Sequence, residues 1–214
     1  MAHNAAANAT PRRLASAARR QEILDAALTR FLRDGIAATG IDEIREQSGA
    51  SVGSIYHHFG GKDGIVATLA TGALSDYQAG FVATLRRARS ARGGVETAVR
   101  YHLDWVVANA DLARFLFAGD RDRPAAADEA VRALTRGFLK EVAAWFEERA
   151  AAGEMRRLPL DLLGAVLVGP AQEFSRGWLA RRSRSSMGAA RQALPAAAWA
   201  ALRPEDPTPA RGAR

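Results

Sequence analysis

Apolar residues near the N-terminus recur with the period of an α-helix. Six of them form two parallel rows at i, i+4 and i+8: Ile23, Ala27, Phe31, Leu24, Leu28 and Leu32. Positions with this spacing lie on one face of a helix. The pattern therefore predicts an amphipathic helix that begins near Arg20 and ends near Gly35.

A short second helix follows. Gly40 is a tolerated N-cap residue, Glu43 stands three positions later, and Ile41 and Ile44 fall on one side. Gly49 stops this helix because glycine readily adopts the left-handed conformation of a helix end.

A third helix begins after the Gly49 turn. Ser51 can cap it, Gly60 and Gly61 end it, and its apolar residues are spaced at three and four: Val52, Ile55, Tyr56 and Phe59. Two short helices thus flank a tight glycine turn.

The rest of the chain carries the same helical period in longer segments. A fourth helix runs from Lys62 to Leu85, before a loop over residues 86–94. Further helices are predicted near residues 95–109, 111–118, 128–152, 159–182 and 192–202. Pro170 lacks an amide hydrogen and predicts a kink in its helix. No segment alternates with the period of two expected for strands, so the predicted fold class is all-α.

Both ends of the chain are predicted to be disordered. Residues 1–17 are rich in alanine and asparagine and form a basic arm with Arg12 and Arg13, and the proline-rich residues 204–214 cannot form a helix. Between them we predict a small domain at 18–64 and a larger helical bundle at 65–203.

Composition excludes several kinds of site. The 214 residues include no cysteine, which excludes disulfides and zinc–thiolate sites and favours a reducing cytoplasm. The formal charge is +7, and all basic residues except Lys62 and Lys140 are arginines, so we expect an acidic partner. The longest uncharged apolar stretch, residues 162–172, is shorter than the ~18 residues of a membrane span. A cytoplasmic protein without membrane association is expected.

Residues 39–62 carry the candidate chemistry. Two short helices joined by a glycine turn after a first helix are typical of the helix-turn-helix, whose second short helix enters the DNA major groove. Hydroxyl and imidazole groups on the third helix can reach phosphates or base edges: Ser51, Ser54, Tyr56, His57 and His58. Lys62 begins the next helix, where the free N–H groups and the helix dipole already favour a phosphate.

The residues themselves add a family resemblance. The run Gly-Ser-Ile-Tyr-His-His-Phe at 53–59, followed by Lys62 and Asp63, resembles the tetracycline-repressor (TetR) family, and the similarity covers roughly residues 18–66. The resemblance implies a transcription factor with an N-terminal three-helix helix-turn-helix domain, its motif at about 40–59, and an all-helical C-terminal effector and dimerisation domain. It further implies a homodimer that binds a palindromic operator in double-stranded DNA and is typically a repressor released by a small-molecule effector.

Carried over by position, the family's DNA contacts fall on Thr39, Gly40, Ser51, Val52, Gly53, Ser54, Tyr56, His58 and Lys62. Two positions depart from the family pattern. Gly40 replaces the usual capping threonine or serine, which weakens one contact, and Arg45 replaces a usual alanine, which could add one.

The C-terminal half resembles one branch of the family's effector domains, in which the last long helices form the dimer. Residues 162–168 are apolar nearly all round and suit either that role or a plain core helix. Candidate effector contacts are the aromatic and polar residues His102, Trp105, Phe115, Phe138, Trp145, Gln172 and Trp178. Ordinary core packing explains the same residues.

Other interpretations find less support. Gly49-Ala-Ser51-Val-Gly53 satisfies the G-x-S-x-G pattern of hydrolases, but that motif needs a preceding strand. His57 and His58 point about 100° apart on a helix and cannot chelate one metal. We therefore predict no enzyme, no metal and no cofactor. A non-specific nucleic-acid-binding protein remains open, as does the choice between a minor-groove contact and no function for Arg12 and Arg13.

Overall fold

The computed structural model describes residues 11–118 and 124–204, except for the side chain of Ala126, and all regular elements in these ranges are α-helices. The helices are α1 (Pro11–Asp34), α2 (Ile41–Ser48), α3 (Val52–Phe59), α4 (Lys62–Arg87), α5 (Ala91–Ala108), α6 (Ala110–Ala118), α7 (Ala125–Ala151), α8 (Leu160–Leu167), α9 (Gly169–Leu179) and α10 (Met187–Leu202). The all-α prediction is confirmed.

The chain forms two compact units. The first comprises the described residues of Met1–Ala73 and Asp111–Val131, and the second those of Leu74–Ala110 and Arg132–Arg214. The division falls within α4, after Ala73, whereas the sequence suggested a boundary at residue 64. It also assigns α6 and the start of α7 to the first unit, a pairing of distant segments that local periodicity does not reveal.

The core of the first unit is built on α1. The side chains of Ile23, Ile44 and Ile55, from α1, α2 and α3, are completely buried in it. Phe31 of α1 stacks on Phe115 of α6, with ring centroids 6.1 Å apart. Each of these isoleucines contributes about 1.5–3 kcal/mol through removal of its side chain from water. The three short elements are therefore fixed by apolar contacts predicted from their spacing.

The first helix is longer than predicted. It begins at Pro11, so the prediction of a disordered arm is wrong for residues 11–17, while residues 1–10 and 205–214 lie outside the described residues. Proline suits the first position of a helix, and the alanine, leucine and arginine residues that follow favour helix. Extending an existing helix costs little compared with starting one, which explains the added turns.

Two other boundaries differ from the prediction. The loop after α4 contains only residues 88–90, because Ser90 caps α5 and its Oγ accepts a hydrogen bond from the Gly93 N–H at 3.1 Å. Around Pro170 the predicted kink is a break between α8 and α9, with Val168 between them and the proline in the first turn of α9. A proline in a first turn leaves no hydrogen bond unmade.

The second unit has its own core around α5. Helices α9 and α10 pack against α5, and its fully buried side chains include Val95, Val99 and Leu103. Trp145 of α7 lies against Gly94, where an added Cβ would overlap the indole ring. The absence of a side chain at Gly94 is thus required for α5 and α7 to pack.

Gly64 in the first turn of α4 provides the first prediction. An added Cβ there would overlap the Phe59 carbonyl oxygen, which is backbone and cannot move aside as a side chain can. Gly64→Ala is expected to lower the free energy of unfolding by about 1–3 kcal/mol. Gly72→Ala, in the same helix with nothing near its Cβ, should raise it by about 0.5–1 kcal/mol. Chemical denaturation of both variants measures this, and equal effects would contradict the packing argument.

Candidate DNA-binding surface and effector cavity

Glycine and serine residues set the ends of α2 and α3. Gly49 and Gly60, which follow the two helices, have φ values of 64° and 72°, a left-handed conformation that glycine adopts without steric cost. Ser51 has extended backbone, and its Oγ accepts the Ser54 N–H at 3.1 Å. The predicted turn and cap are therefore present.

The exposed face of α3 carries side chains suited to contact with DNA. Val52 and Tyr56 are 41% and 54% exposed and lie one turn apart, while Ile55 is fully buried on the other side of the helix. Ser51 and Gly53 are exposed at its N-terminal end, and Ser54 and His58 are half-buried. A protruding helix with a hydroxyl, a small apolar group and open backbone can approach base edges closely.

Two predicted contact residues are engaged within the protein. Thr39 is 1% exposed, and its hydroxyl donates to the Gly35 carbonyl at 2.8 Å, so it closes the loop between α1 and α2. The Lys62 Nζ donates to the carbonyls of Ile36 and Ala37 at 3.0 and 3.4 Å. An ammonium group has three donors, so Lys62 keeps one for another acceptor, whereas the Thr39 hydroxyl is not presented to a ligand.

The two departures from the family pattern are both visible at α2. Gly40 offers no side-chain cap, but its N–H donates to the Glu43 carboxylate at 3.0 Å, which stabilises the start of the helix. Arg45 is half-buried and pairs with Asp42 and Glu46 at 3.6 and 3.4 Å. Such exposed pairs are worth little, so they do not prevent Arg45 from turning to a phosphate.

Sequence reasoning missed Arg19 and Arg20 of α1. The Arg19 guanidinium lies 3.5 Å from the carbonyl of Ser48 at the end of α2, and that of Arg20 lies 5.2 Å from the centre of the Phe59 ring at the end of α3. They therefore border both helices of the motif. Their helical spacing places them on the side of α1 that carries its buried residues, and this pattern could have revealed them.

The helix-turn-helix geometry agrees with comparisons with known proteins. Residues 23–69 match the family model described as bacterial regulatory proteins, tetR family. The HTH-type transcriptional repressor KstR2 of Rhodococcus jostii (strain RHA1) is 41% identical over 58 residues, which are 27% of this chain and 28% of that protein. The alignment thus spans little more than a quarter of that curated relative.

Solved structures extend the similarity to both units. A tetR-family regulatory protein from Rhodococcus RHA1 has a TM-score of 0.75 at 18% identity, covering 88% of this chain and 98% of the other. FadR from Bacillus subtilis, in complex with stearoyl-CoA, has a TM-score of 0.72 at 17% identity over 83% of this chain and 96% of its own. Residues 23–69 therefore form a domain of the tetR-family type, and the described chain has the fold of the solved tetR-family regulators.

The G-x-S-x-G pattern does not have the surroundings of a hydrolase nucleophile. Ser51, the serine of the G-x-S-x-G pattern, is the N-cap of α3 and follows a helix, whereas a hydrolase needs a strand there. Within residues 11–118 and 124–204, no helix is long and apolar enough to cross a membrane, and no group of three or more His, Asp or Glu side chains is placed to hold a metal.

The second unit contains an apolar cavity of about 190 Å³. Helices α4, α7, α8 and α9 line it with Tyr77, Phe81, Phe138, Leu139, Val142, Leu160, Leu163, Gly164, Leu167, Val168 and Gln172. The Gln172 amide and the Tyr77 hydroxyl are the polar side-chain groups of this otherwise apolar lining. An apolar wall with few polar groups is typical of small-molecule sites, but such sites commonly measure about 300–1,000 Å³, so this cavity is small for one.

The predicted effector residues are only partly brought together. Phe138 and Gln172 line the cavity, and His102 and Trp105 contact Tyr77, which also lines it, with ring centroids 5.7 and 5.2 Å apart. Phe115 belongs instead to the core of the first unit, and Trp145 and Trp178 to the core of the second. Helical spacing identifies an inward-facing aromatic residue but does not tell which interior it faces.

A wider groove of about 810 Å³ lies between α4 and α7 of the second unit. Its walls include Gln78, Val82, Gly137 and Phe138. Arg86 and Glu141 form an ion pair at 2.6 Å on its lining. Phe138 lines both this groove and the smaller cavity.

His102 is the buried titratable group beside the cavity. Its Nδ1 and the Tyr77 hydroxyl share a hydrogen bond of 3.0 Å, and its Nε2 has no hydrogen-bond partner among the described residues. Burial lowers the pKa of His102 from 6.5 to about 4 and raises the pKa of Tyr77. Both side chains are therefore neutral at physiological pH.

His102 should make the protein sensitive to acid. Between pH 6.5 and 4 the unfolded chain holds a proton on this imidazole that the folded chain lacks. The free energy of unfolding should therefore fall by up to about 3 kcal/mol as the pH is lowered from 6.5 to 4. Above pH 6.5 His102 is neutral in both states and contributes nothing to the pH dependence. His102→Asn retains an acceptor for Tyr77 but does not titrate, so its stability should change less. If the free energies of unfolding of the parent chain and of His102→Asn changed with pH in parallel, the buried neutral imidazole would be contradicted.

Proposed function

We propose that the chain is a sequence-specific DNA-binding transcriptional regulator that acts in the cytoplasm as a homodimer. The observation that carries the proposal is the exposed face of α3, with Val52 and Tyr56 outward and Ile55 holding the helix on the core. In this proposal α3 enters the major groove, Val52 contacts base edges, and Tyr56 and the remaining donor of Lys62 contact phosphates.

The proposed mode of action is repression that an effector relieves. The 41% identity with the repressor KstR2 over 58 residues supports a role in DNA binding. The similarity of fold to FadR, which was solved with stearoyl-CoA, supports the binding of an effector. The operator is proposed to be palindromic, because a two-fold symmetric dimer presents two copies of α3 to successive major grooves about 34 Å apart. The exposed Leu160 and Leu162 of α8 support a covered apolar face in that dimer.

Selection from random-sequence duplexes with the full chain at physiological salt tests DNA recognition. We expect a palindromic consensus that binds at least ~10³-fold more tightly than a scrambled duplex. Absence of enrichment, with binding that falls uniformly as salt rises, would replace the proposal by non-specific nucleic-acid binding.

A matched pair of tyrosine variants serves as the control for this measurement. Tyr56→Phe removes the exposed hydroxyl on α3 and should weaken the selected and scrambled duplexes alike by about tenfold, the effect of one hydrogen bond to a charged group. Tyr101→Phe removes a hydroxyl that donates to the Tyr77 carbonyl at 3.1 Å in the second unit and should leave DNA affinity unchanged.

The effector is proposed to bind in the cavity beside Tyr77. A screen for release of the selected duplex should include stearoyl-CoA, the ligand in the FadR complex, together with shorter apolar anions that match a cavity of about 190 Å³. A ligand that binds the DNA-bound and free forms equally would release nothing, so the screen measures duplex dissociation and not only binding.

Substitutions at two glycines can distinguish effector binding in the cavity from effector binding in the wider groove. Gly164 lines the cavity and Gly137 the groove, and an added Cβ meets nothing within 4 Å at either position. Gly164→Leu is expected to abolish effector release, and Gly137→Leu to preserve it, with DNA affinity retained in both. Loss of release only in Gly137→Leu would assign the effector to the groove.

A further inference from the structure

The N-terminal part of α1 carries a basic face that the helix-turn-helix motif does not explain. Successive helical residues lie about 100° apart, so Arg12, Arg13, Arg19 and Arg20 fall within about 120° of one another around the axis. Ser16 lies in the middle of this sector. We call the four arginines the basic face of α1.

The basic face continues the side of α1 that packs on the core. Ile23 and Ala27, which are fully buried, have helical angles within the same sector as the four arginines. Residues 11–20 are nevertheless all exposed, since α1 extends beyond the elements packed on it. The arginines therefore project on the side of α1 where α2 and α3 lie, and Arg19 and Arg20 reach the ends of those two helices.

The electrostatics of this segment favour an anionic partner. The first turn of α1 contains Arg12 and Arg13 and no acidic residue. Positive charge at a helix N-terminus opposes the helix dipole and is therefore unfavourable there. No ion pair of either arginine is found among the described residues, whereas Arg19 pairs with Glu22 at 2.8 Å. A phosphate beside this turn would satisfy both the side chains and the dipole.

The geometry points to phosphate contact outside the grooves: we propose that the basic face of α1 lies along the DNA backbone that flanks the site contacted by α3. A helix is about 10–12 Å wide, and the minor groove is about 6 Å wide, so residues 11–20 cannot enter that groove as a helix. Contacts to phosphates add affinity without sequence preference. This inference deepens the proposed function and depends on it for the location of the DNA.

The opposite side of the segment argues against a lipid partner. It consists of Pro11, Ala15, Ala17, Ala18 and the 58% exposed Leu14. Helices that lie on membranes carry a broad face of large apolar residues, which a single leucine does not supply. A duplex is therefore the better partner for this basic face.

The test is the salt dependence of binding to both the selected duplex and a scrambled one, by fluorescence anisotropy with the full chain. Removal of two phosphate contacts by Arg12→Ala with Arg13→Ala should reduce the slope of log K against log salt by about two. The same reduction is expected for both duplexes, so the selectivity ratio should not change. The exposure of both side chains means that folding is unaffected, which circular dichroism verifies.

Three matched variants give this test its specificity. Arg12→Lys with Arg13→Lys retains the charges and should retain the slope. Arg182→Ala with Arg184→Ala removes two exposed charges from the second unit and should also leave it unchanged. Adding Leu14→Arg and Ala18→Arg to the double alanine variant restores the charge on the opposite side of α1 and should not restore the slope.

The outcomes separate this inference from the proposed function. An unchanged slope in the double alanine variant, with selective binding by the parent chain, would overturn the basic face alone. No binding of the parent chain to either duplex would overturn both proposals. Loss of binding to anionic phosphatidylserine vesicles in the variant, with an unchanged DNA slope, would assign the basic face to lipid instead.

Discussion

The burial of Ile55 beneath α3 is the interaction on which the proposed DNA-binding surface depends. Because this side chain is fully enclosed with Ile23 and Ile44, the opposite side of α3 must face solvent. Rotation of α3 about its axis would expose Ile55, at a cost of about 1.5–3 kcal/mol, before any contact with DNA was made. The outward position of Tyr56 is thus a consequence of core packing and needs no ligand to establish it.

The polar groups around α3 then fix where it begins and ends. Ser51 and Gly60 define eight residues of helix, and Lys62 joins the start of α4 to the loop that precedes α2. The same lysine therefore serves the fold and keeps a donor for a phosphate. A substitution at Lys62 would change stability and affinity together, which makes Tyr56 the better residue for separating recognition from folding.

The sequence predicted the elements whose evidence is local. The periods of α1–α3, the Ser51 cap and the disturbance of the helix at Pro170 depend on neighbours within a few residues, although the predicted kink is a break between α8 and α9. Three features depend on partners far along the chain and were not predicted: the carbonyls bound by Lys62, the stacking of Phe31 on Phe115, and the assignment of α6 to the first unit. The extension of α1 to Pro11 was missed for another reason, since helix continues there without any buried residue to mark it.

Helix α4 gives the two proposed activities a common element. Its residues up to Ala73 belong to the unit that contains α3, and Tyr77 of the same helix lines the cavity in the second unit. Lys62, at its first position, holds the loop before α2 by two hydrogen bonds. A ligand beside Tyr77 can influence DNA binding through α4 only if it contacts this helix differently in the two states, because equal contacts shift no population. The helix supplies the connection, and the differential contact must come from the chemistry of the ligand.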